Sequence, residues 1–425
     1  MKFIFADALD QVDPGYDFFR DQFSKGRKPY WTDVYPHELY KAAPYDGILI
    51  SRGIVGCSKR KGKYTDAQAM RLRRVGAREF LRLNTPQYEK MPIFGDCGAF
   101  SYAADKVPLY SSEEMIEFYD DVGFTHGCSV DHIIFGYRTG VNGLDGAEGD
   151  EQERFDITQE NASEFKRLTK SMTNFTPLGV VQGWSPDSMA IAASNLEKMG
   201  YKYLALGGMV PLDAAQIHEA LRAIREKISP STKIHILGFA KAEQIHEFKN
   251  YGIASFDSTS PLIRAFKDAK ANYYKRATNN QLDYYTAIRI PLATDDTTLT
   301  NAVKEGKISQ DIVIDAEQNA LAALRSYDKG EIDFEEVIDA VMIYQRIFLI
   351  IKNKTQTAYE KAIRSCEDRL RHTLKDMPWK KCSCDICSKV GIEVAIFRAS
   401  NRNKRRGFHN LFTYYEHVKR IKDEK

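Results

Sequence analysis

Through the middle of the chain, short runs rich in Ile, Val and Leu alternate with longer amphipathic stretches. This alternation narrows the open folds more than any other feature. The runs are Gly47–Ser51, Pro92–Asp96, Gly127–Ile134, Leu178–Gly183, Tyr203–Gly208, Ile234–Phe239 and Ala254–Asp257. Between them lie Ser112–Val122, Ser185–Met199, Asp213–Lys227 and Ala242–Asn250, each with helical spacing of its apolar residues. Strands that are apolar throughout are covered on both faces, and strands separated by helices run parallel through crossovers. Seven such runs fit an α/β fold of the (β/α)8 barrel type, with an eighth strand expected further along the chain. A doubly wound open sheet fits less well, because it would not set residues around a ring. At 425 residues, 43% hydrophobic and 12% aromatic, the chain can bury a barrel-sized core and carry additions.

Polar residues gather at the ends of these runs. Asp96 closes the second, Asp131 lies in the third, Gln182-Gly183 closes the fourth, Gly207-Gly208 the fifth and Asp257 the seventh. In a barrel the C-terminal ends of the strands form one mouth, and chemistry sits there. A single aspartate at a strand end is more often a helix cap or a turn residue. Three carboxylates, an amide and two glycines converging on one mouth are a stronger signal, because carboxylates in a shared low-dielectric cleft divide into nucleophile, acid and base.

Near the C-terminus the chain reads Cys382-Ser-Cys384-Asp-Ile-Cys387, and a helical run then leads to His409. Thiolates and a neutral imidazole are preferred zinc ligands, and three sulfurs with one nitrogen close a tetrahedron, which makes a structural site. A disulfide among cysteines so close in sequence is sterically poor, and the polar start Met1-Lys-Phe-Ile-Phe-Ala-Asp is not a signal peptide. On chemistry alone His372 and His417 compete with His409 for the fourth position. The expected cofactor is therefore one structural Zn²⁺ per chain.

These features divide the chain into an N-terminal extension (1–45), a barrel (46–300), a helical insertion (301–377) and a zinc-binding subdomain with a C-terminal barrel helix (378–425). Most of the insertion, Ser309–Leu374, reads as long amphipathic helices. The net charge of +3 says little by itself, but from Lys361 onward 17 lysines and arginines face 8 carboxylates. A basic end beside a zinc site suggests a polyanionic partner, and a solvated helical face is the plainer alternative. Lys380, Lys381, Arg398, Arg402, Lys404, Arg405 and Arg406 form the expected phosphate clamp. No stretch approaches the ~20 apolar residues of a membrane span, so no membrane partner is expected and the cytoplasm is the expected location.

At the level of motifs the chain resembles the tRNA-guanine transglycosylases, which exchange a guanine in a nucleic acid for a 7-deazaguanine. Gly95-Asp96-Cys97-Gly98-Ala99-Phe100-Ser101 resembles the family's Asp-Ser-Gly-Gly-Phe-Gln segment, and Val181-Gln182-Gly183 its Val-Gln-Gly turn. Leu206-Gly207-Gly208-Met209 resembles its Ile-Gly-Gly-Leu, and Phe256-Asp257 with Pro261 its Phe-Asp-x-x-x-Pro nucleophile segment. Cys382, Cys384, Cys387 and His409-Asn410-Leu411 match its zinc signature, which implies His409 as fourth ligand. The likeness covers roughly residues 45–280 and 378–422. It departs at Gly98-Ala99, where the family has Gly-Gly, and at Ser101, where it has Gln.

The resemblance implies Asp257 as the nucleophile that traps the sugar and Asp96 as the general acid and base at the leaving and incoming nitrogens. Asp131 is expected to accept the guanine N1 and N2 donors, and Gln182 and the Gly208 N–H to serve O6. Gly207 and Gly208 allow the backbone close to the ring. Phe100 and Met209 are expected to sandwich it, with core packing the plainer reading of both. Adenine would leave these polar groups unpaired. The N-terminal Met1-Lys-Phe-Ile-Phe-Ala-Asp-Ala and Pro29-Tyr-Trp-Thr-Asp resemble the DpdA-like branch, which inserts 7-cyano-7-deazaguanine (preQ0) into DNA. DNA and preQ0 are thus the expected partners, together with an ATPase-like protein. Insertion of a 7-deazaguanine into tRNA and a non-catalytic nucleic-acid-binding subunit are the alternatives, and retention of all three aspartates speaks against the second. Ordinary bacterial members pair as homodimers near the zinc site, a surface the helical insertion is able to block or replace, so the oligomeric state stays open.

Overall fold

The computed structural model describes the chain except residues 240–241, 277–281, 354 and 424–425. It divides into two compact units. The first comprises Met1–Leu9, Tyr45–Ser260 and Val418–Lys425, and the second Asp10–Pro44 and Pro261–His417.

The first unit contains a closed barrel of eight parallel strands. They are β1 (Lys2–Ala6), β2 (Gly47–Ser51), β3 (Ile93–Asp96), β4 (His126–Cys128), β5 (Thr176–Val181), β6 (Tyr203–Leu206), β7 (Lys233–Ile236) and β8 (Ile253–Ser258). The eighth strand is not further along the chain, as the sequence suggests, but at its start. β1 pairs with β2 on one side and β8 on the other, closing the ring. Residues 1–45 are therefore not wholly an extension outside the barrel, and the last barrel strand ends at Ser258 rather than near 300. The third apolar run is strand only over His126–Cys128, so Asp131 projects from the segment that follows β4.

Ile4, Leu49, Phe94, Cys128, Leu178, Val180, Tyr203 and Ala205 form a buried cluster from six strands. Such a barrel is a packed core, not a pore. Phe94 is stacked on His126 at 4.3 Å and on His235 at 5.2 Å between ring centroids. The helix Ser112–Val122 is capped by Ser111, whose hydroxyl accepts from the Glu114 N–H. Its Tyr119 lies against Gly95 and Gly127, where a Cβ would come within 2.3 Å and 2.7 Å of the ring. Glycine at these two positions lets the helix settle onto β3 and β4, and the Tyr119 hydroxyl donates to the Cys128 carbonyl at 3.0 Å.

The second unit holds the long amphipathic helices expected of the insertion as three, Gln310–Lys329, Phe334–Lys352 and Gln356–Asp376. It also holds a hairpin of Tyr273–Arg276 with Leu282–Tyr285 and a short parallel pair of Ile288–Arg289 with Ile396–Phe397. The helix Ser400–Asp423 carries the basic cluster and His409.

Most of that cluster faces inward, which corrects the phosphate-clamp expectation. Arg402 is fully buried, pairs with Asp21 at 2.5 Å and also with Glu393, and donates to the Phe18 carbonyl. Arg398 pairs with Asp21 at 2.7 Å and Glu317 at 2.8 Å. Arg405 donates to the carbonyls of Asp13 and Pro14, and buried Arg406 to those of Val394, Ile396 and Ala265. Arg402, Arg405 and Arg406 thus tie Asp10–Pro44 and neighbouring loops to one helix and are not available to a phosphate. Lys381 is exposed, and half-buried Lys404 places its Nζ 3.4 Å from the Gln11 carbonyl. Breaking a buried ion pair by removing one partner leaves a charge uncompensated and costs about 3–5 kcal/mol. Arg402→Ala is expected to lose stability on that scale in urea denaturation. An unchanged midpoint would return Arg402 to the residues free for nucleic acid.

Candidate active site and metal centre

The barrel brings the residues marked by the sequence to the C-terminal ends of its strands. Asp96 is the last residue of β3, opposite Ser51 at the end of β2. Its Oδ2 accepts from the Gly98 N–H at 3.1 Å, and Gly98 takes a φ of +79° to make that turn. Burial and the charges of Asp131 and Asp257 push its carboxyl up to about 7, against the hydrogen bonds from Ser51 and Gly98. Asp96 therefore holds a proton for much of the time near neutral pH and can also take one back.

Asp131 is buried with both oxygens engaged. The Cys97 thiol donates to Oδ1 at 3.0 Å and the Gln182 Nε2 to Oδ2 at 2.6 Å. Burial raises the Asp131 pKa, while these two donors lower it. Burial and the neighbouring Asp131 charge also raise Cys97, which keeps it a thiol and hence a donor. Gln182, one residue past β5, accepts the Ile134 N–H on its Oε1 at 3.2 Å. Each of these contacts leaves capacity over. A carboxylate oxygen has two lone pairs, and an amide nitrogen has a second hydrogen.

The glycines after β6 have a different first reason from the one expected. A Cβ on Gly207 would sit 2.2 Å from Gln182 Nε2, so glycine there makes room for the amide that holds Asp131. Gly208 has φ +69° and would meet the Ile134 carbonyl at 2.9 Å. Met209 is buried. Phe100 is 63% exposed, which removes core packing as its explanation, and its ring lies 5.9 Å from that of Phe135, itself 51% exposed. Phe135 carries no motif in the sequence, and only its place four residues after Asp131 points to it.

Asp257, in β8, is buried, and its two oxygens differ. Oδ1 accepts from the Gly238 N–H at 2.9 Å and lies 3.2 Å from His235 Nε2. Among the described residues Oδ2 has no hydrogen-bond partner. His235 Nδ1 is 2.6 Å from Ser255 Oγ, which is 2.6 Å from the Tyr203 hydroxyl. With Nε2 donating to the Asp257 carboxylate, His235 accepts from Ser255 through Nδ1, and Tyr203 completes the chain. This chain fixes the Asp257 carboxylate from inside the barrel. Sequence reading misses His235. The available signal is one ionisable residue inside the otherwise apolar run Ile234–Phe239.

In the second unit Cys382, Cys384, Cys387 and His409 place their ligand atoms within 4.8 Å of one another. His409 Nδ1 lies 3.5, 3.5 and 3.3 Å from the three sulfurs in turn. His409 Nε2 donates to the Tyr274 carbonyl at 2.8 Å, which leaves Nδ1 as the ligand atom, and the Tyr273 ring stacks on the imidazole at 4.3 Å. Donation of the second ring nitrogen to a carbonyl is the usual support of a metal-binding histidine. All seven cysteines are free. The donor set can hold one metal ion and suits Zn²⁺. His372 and His417 are not among these four residues. Structural zinc contributes about 10–16 kcal/mol of apparent binding free energy, so Cys384→Ala is expected to lose metal and thermal stability together, by elemental analysis and calorimetry. A purified chain without metal but with full stability would contradict the assignment.

No helix among the described residues is long and apolar enough to cross a membrane. No protein-family model matches the chain. It is 40% identical over 421 residues to the DNA-guanine transglycosylase of Salmonella montevideo, an alignment that covers 98% of this chain and 96% of that protein. The alignment spans the barrel, the helical insertion and the cysteine cluster, and it places the chain in the DNA-guanine transglycosylase family, the DpdA-like branch of the tRNA-guanine transglycosylase superfamily, a group of base-exchanging enzymes.

Proposed function

We propose that this enzyme replaces guanine in DNA by preQ0 through a covalent intermediate on Asp257. The observation that carries the reading is the asymmetry of Asp257, one oxygen held and the other bare, beside an Asp96 raised to about 7. In the first half-reaction Asp257 Oδ2 attacks C1′ as the C1′–N9 bond breaks, and Asp96 gives its proton to the departing guanine. The product is an ester of the sugar with Asp257. In the second, ionised Asp96 takes the N9 proton of the incoming base, N9 attacks C1′, and the ester opens to return Asp257. No net proton, electron or water is consumed. Asp131 and Asp257 both repel a charge on Asp96, and protonation of Asp96 relieves that repulsion.

Guanine recognition falls to Asp131, whose free lone pairs suit N1–H and N2–H. The second hydrogen of Gln182 and the Gly208 N–H suit O6. Exposed Phe100, with Phe135, is positioned to cover a ring, and buried Met209 is assigned to its other face. The target base must leave its stack, which costs a few kcal/mol, and exposed Lys381 remains a candidate for the backbone contacts. We assign the helical insertion to gripping or opening the DNA.

DNA is favoured over tRNA because the relative that matches almost the whole chain is a DNA-guanine transglycosylase. The choice of preQ0 rests on the family resemblance, as does a requirement for an ATPase-like partner. Nucleoside mass spectrometry of genomic DNA and bulk tRNA, from cells expressing this chain with its neighbouring genes and a preQ0 supply, tests the proposal. The 7-deazaguanine is expected in DNA. Its appearance in tRNA alone would overturn the DNA reading.

A further inference from the structure

The second unit contains a cavity of about 510 Å³ that the base-exchange chemistry does not use. It lies among residues 266–272 and 286–289, the helices Phe334–Lys352 and Gln356–Asp376, and Phe397. Its volume is within the ~300–1,000 Å³ typical of small-molecule sites. The floor is apolar and buried, formed by Ile288, Val341, Phe348 and Leu370. Among the described residues six cations line it, Lys267, Lys270, Arg289, Lys352, Lys361 and Arg369, and Asp268 is the one lining carboxylate.

Most of those charges are not committed. Five of the six cations are exposed, and Lys267, Lys270 and Lys361 pair with no carboxylate among the described residues. Asp268 is turned to its own loop, where it accepts the N–H groups of Lys270 and Ala271. Arg289 is set apart. Its guanidinium lies 5.3 Å from the Phe348 centroid and 5.4 Å from that of Phe397, with Asp296 at 3.7 Å. An arginine plane backed by two aromatic rings is a surface on which a nucleobase stacks. An apolar floor beneath a cationic rim would take a flat aromatic group carrying negative charge, which is the chemistry of a nucleotide.

We propose that this cavity binds an unpaired nucleotide of a DNA strand, its base on Arg289 over the apolar floor and the flanking phosphates on Lys267, Lys270 and Lys361. The occupant is a nucleotide within a strand, since three separate lysines around one rim match successive phosphates better than a single one. The inference deepens the DNA reading above by giving the helical insertion a defined task, which is to hold strand that has left its partner. Binding can be measured without base exchange, so failure here and failure of the transglycosylase reading are separable.

The test is fluorescence anisotropy of the full-length, zinc-loaded protein with a short labelled single-stranded oligonucleotide, over a range of salt. Each phosphate contact on single-stranded DNA adds about 0.7 to the slope of log affinity against log salt. The triple variant Lys267→Gln, Lys270→Gln, Lys361→Gln is expected to flatten that slope by about 2. Arg289→Ala is expected to weaken binding about tenfold through lost stacking with a much smaller change in slope. All four residues are exposed, so folding of the variants is checked by zinc content and thermal melting. Unchanged affinity and slope in the triple variant would overturn the proposal. So would loss of duplex and single-strand binding to the same extent in Arg289→Ala, because a phosphate-only surface needs no stacking plane. Competition by a free nucleoside monophosphate as strong as by the strand would also reject the strand as occupant.

Discussion

Carboxylates buried in one poorly solvated mouth are costly to ionise, and the rest of the site follows from how that cost is met. Asp96, Asp131 and Asp257 are brought there because parallel strands end on one side of a barrel. Their environments then separate them. Asp131 is pinned by a thiol and an amide, Asp257 by a backbone N–H and a histidine, and Asp96 by one weaker N–H contact and Ser51. Burial first, and then the charges of Asp131 and Asp257, raise Asp96 to about 7, where it can hold or release a proton near neutral pH. A division of this kind, set by surroundings and not by residue type, is how identical side chains come to serve as acid and nucleophile.

The parts of this arrangement differ in how far the sequence reveals them. The alternation of apolar runs and helical stretches disclosed seven barrel strands, because a strand buried on both faces has no polar residues to hide it. It did not disclose β1. Phe3-Ile4-Phe5 is too short to stand out at the start of a chain, and its partner β8 lies some 250 residues away, where local pattern has no reach. The helical character of Ser309–Leu374 was legible from periodicity, while its division into three helices was not, although the capping box at Asp333 and Glu336 marks one boundary. His235 was not, since a single polar residue in an apolar run reads as an irregularity until the barrel turns it toward Asp257.

Charge was the least informative signal. The excess of lysine and arginine in the last residues is real, yet a count records sign and not partners. Asp21, Glu317 and Glu393 neutralise Arg398 and Arg402 from distant parts of the sequence. Of the exposed cations around the cavity, Lys267, Lys270 and Lys361 have no carboxylate partner among the described residues, and they come from two separate parts of the sequence. A dense basic segment thus became internal scaffolding, and a dispersed set became the surface with unspent charge.

The account stands or falls on Asp257 as the covalent nucleophile. The most direct measurement is peptide mapping of the enzyme trapped by denaturation during reaction with guanine-containing DNA. The account predicts a sugar-linked adduct on the peptide that contains Asp257, with fragment ions assigning it to that carboxylate, and its loss in Asp257→Asn. An adduct on Asp96 or Asp131, or base exchange at the full rate by Asp257→Asn, would contradict it.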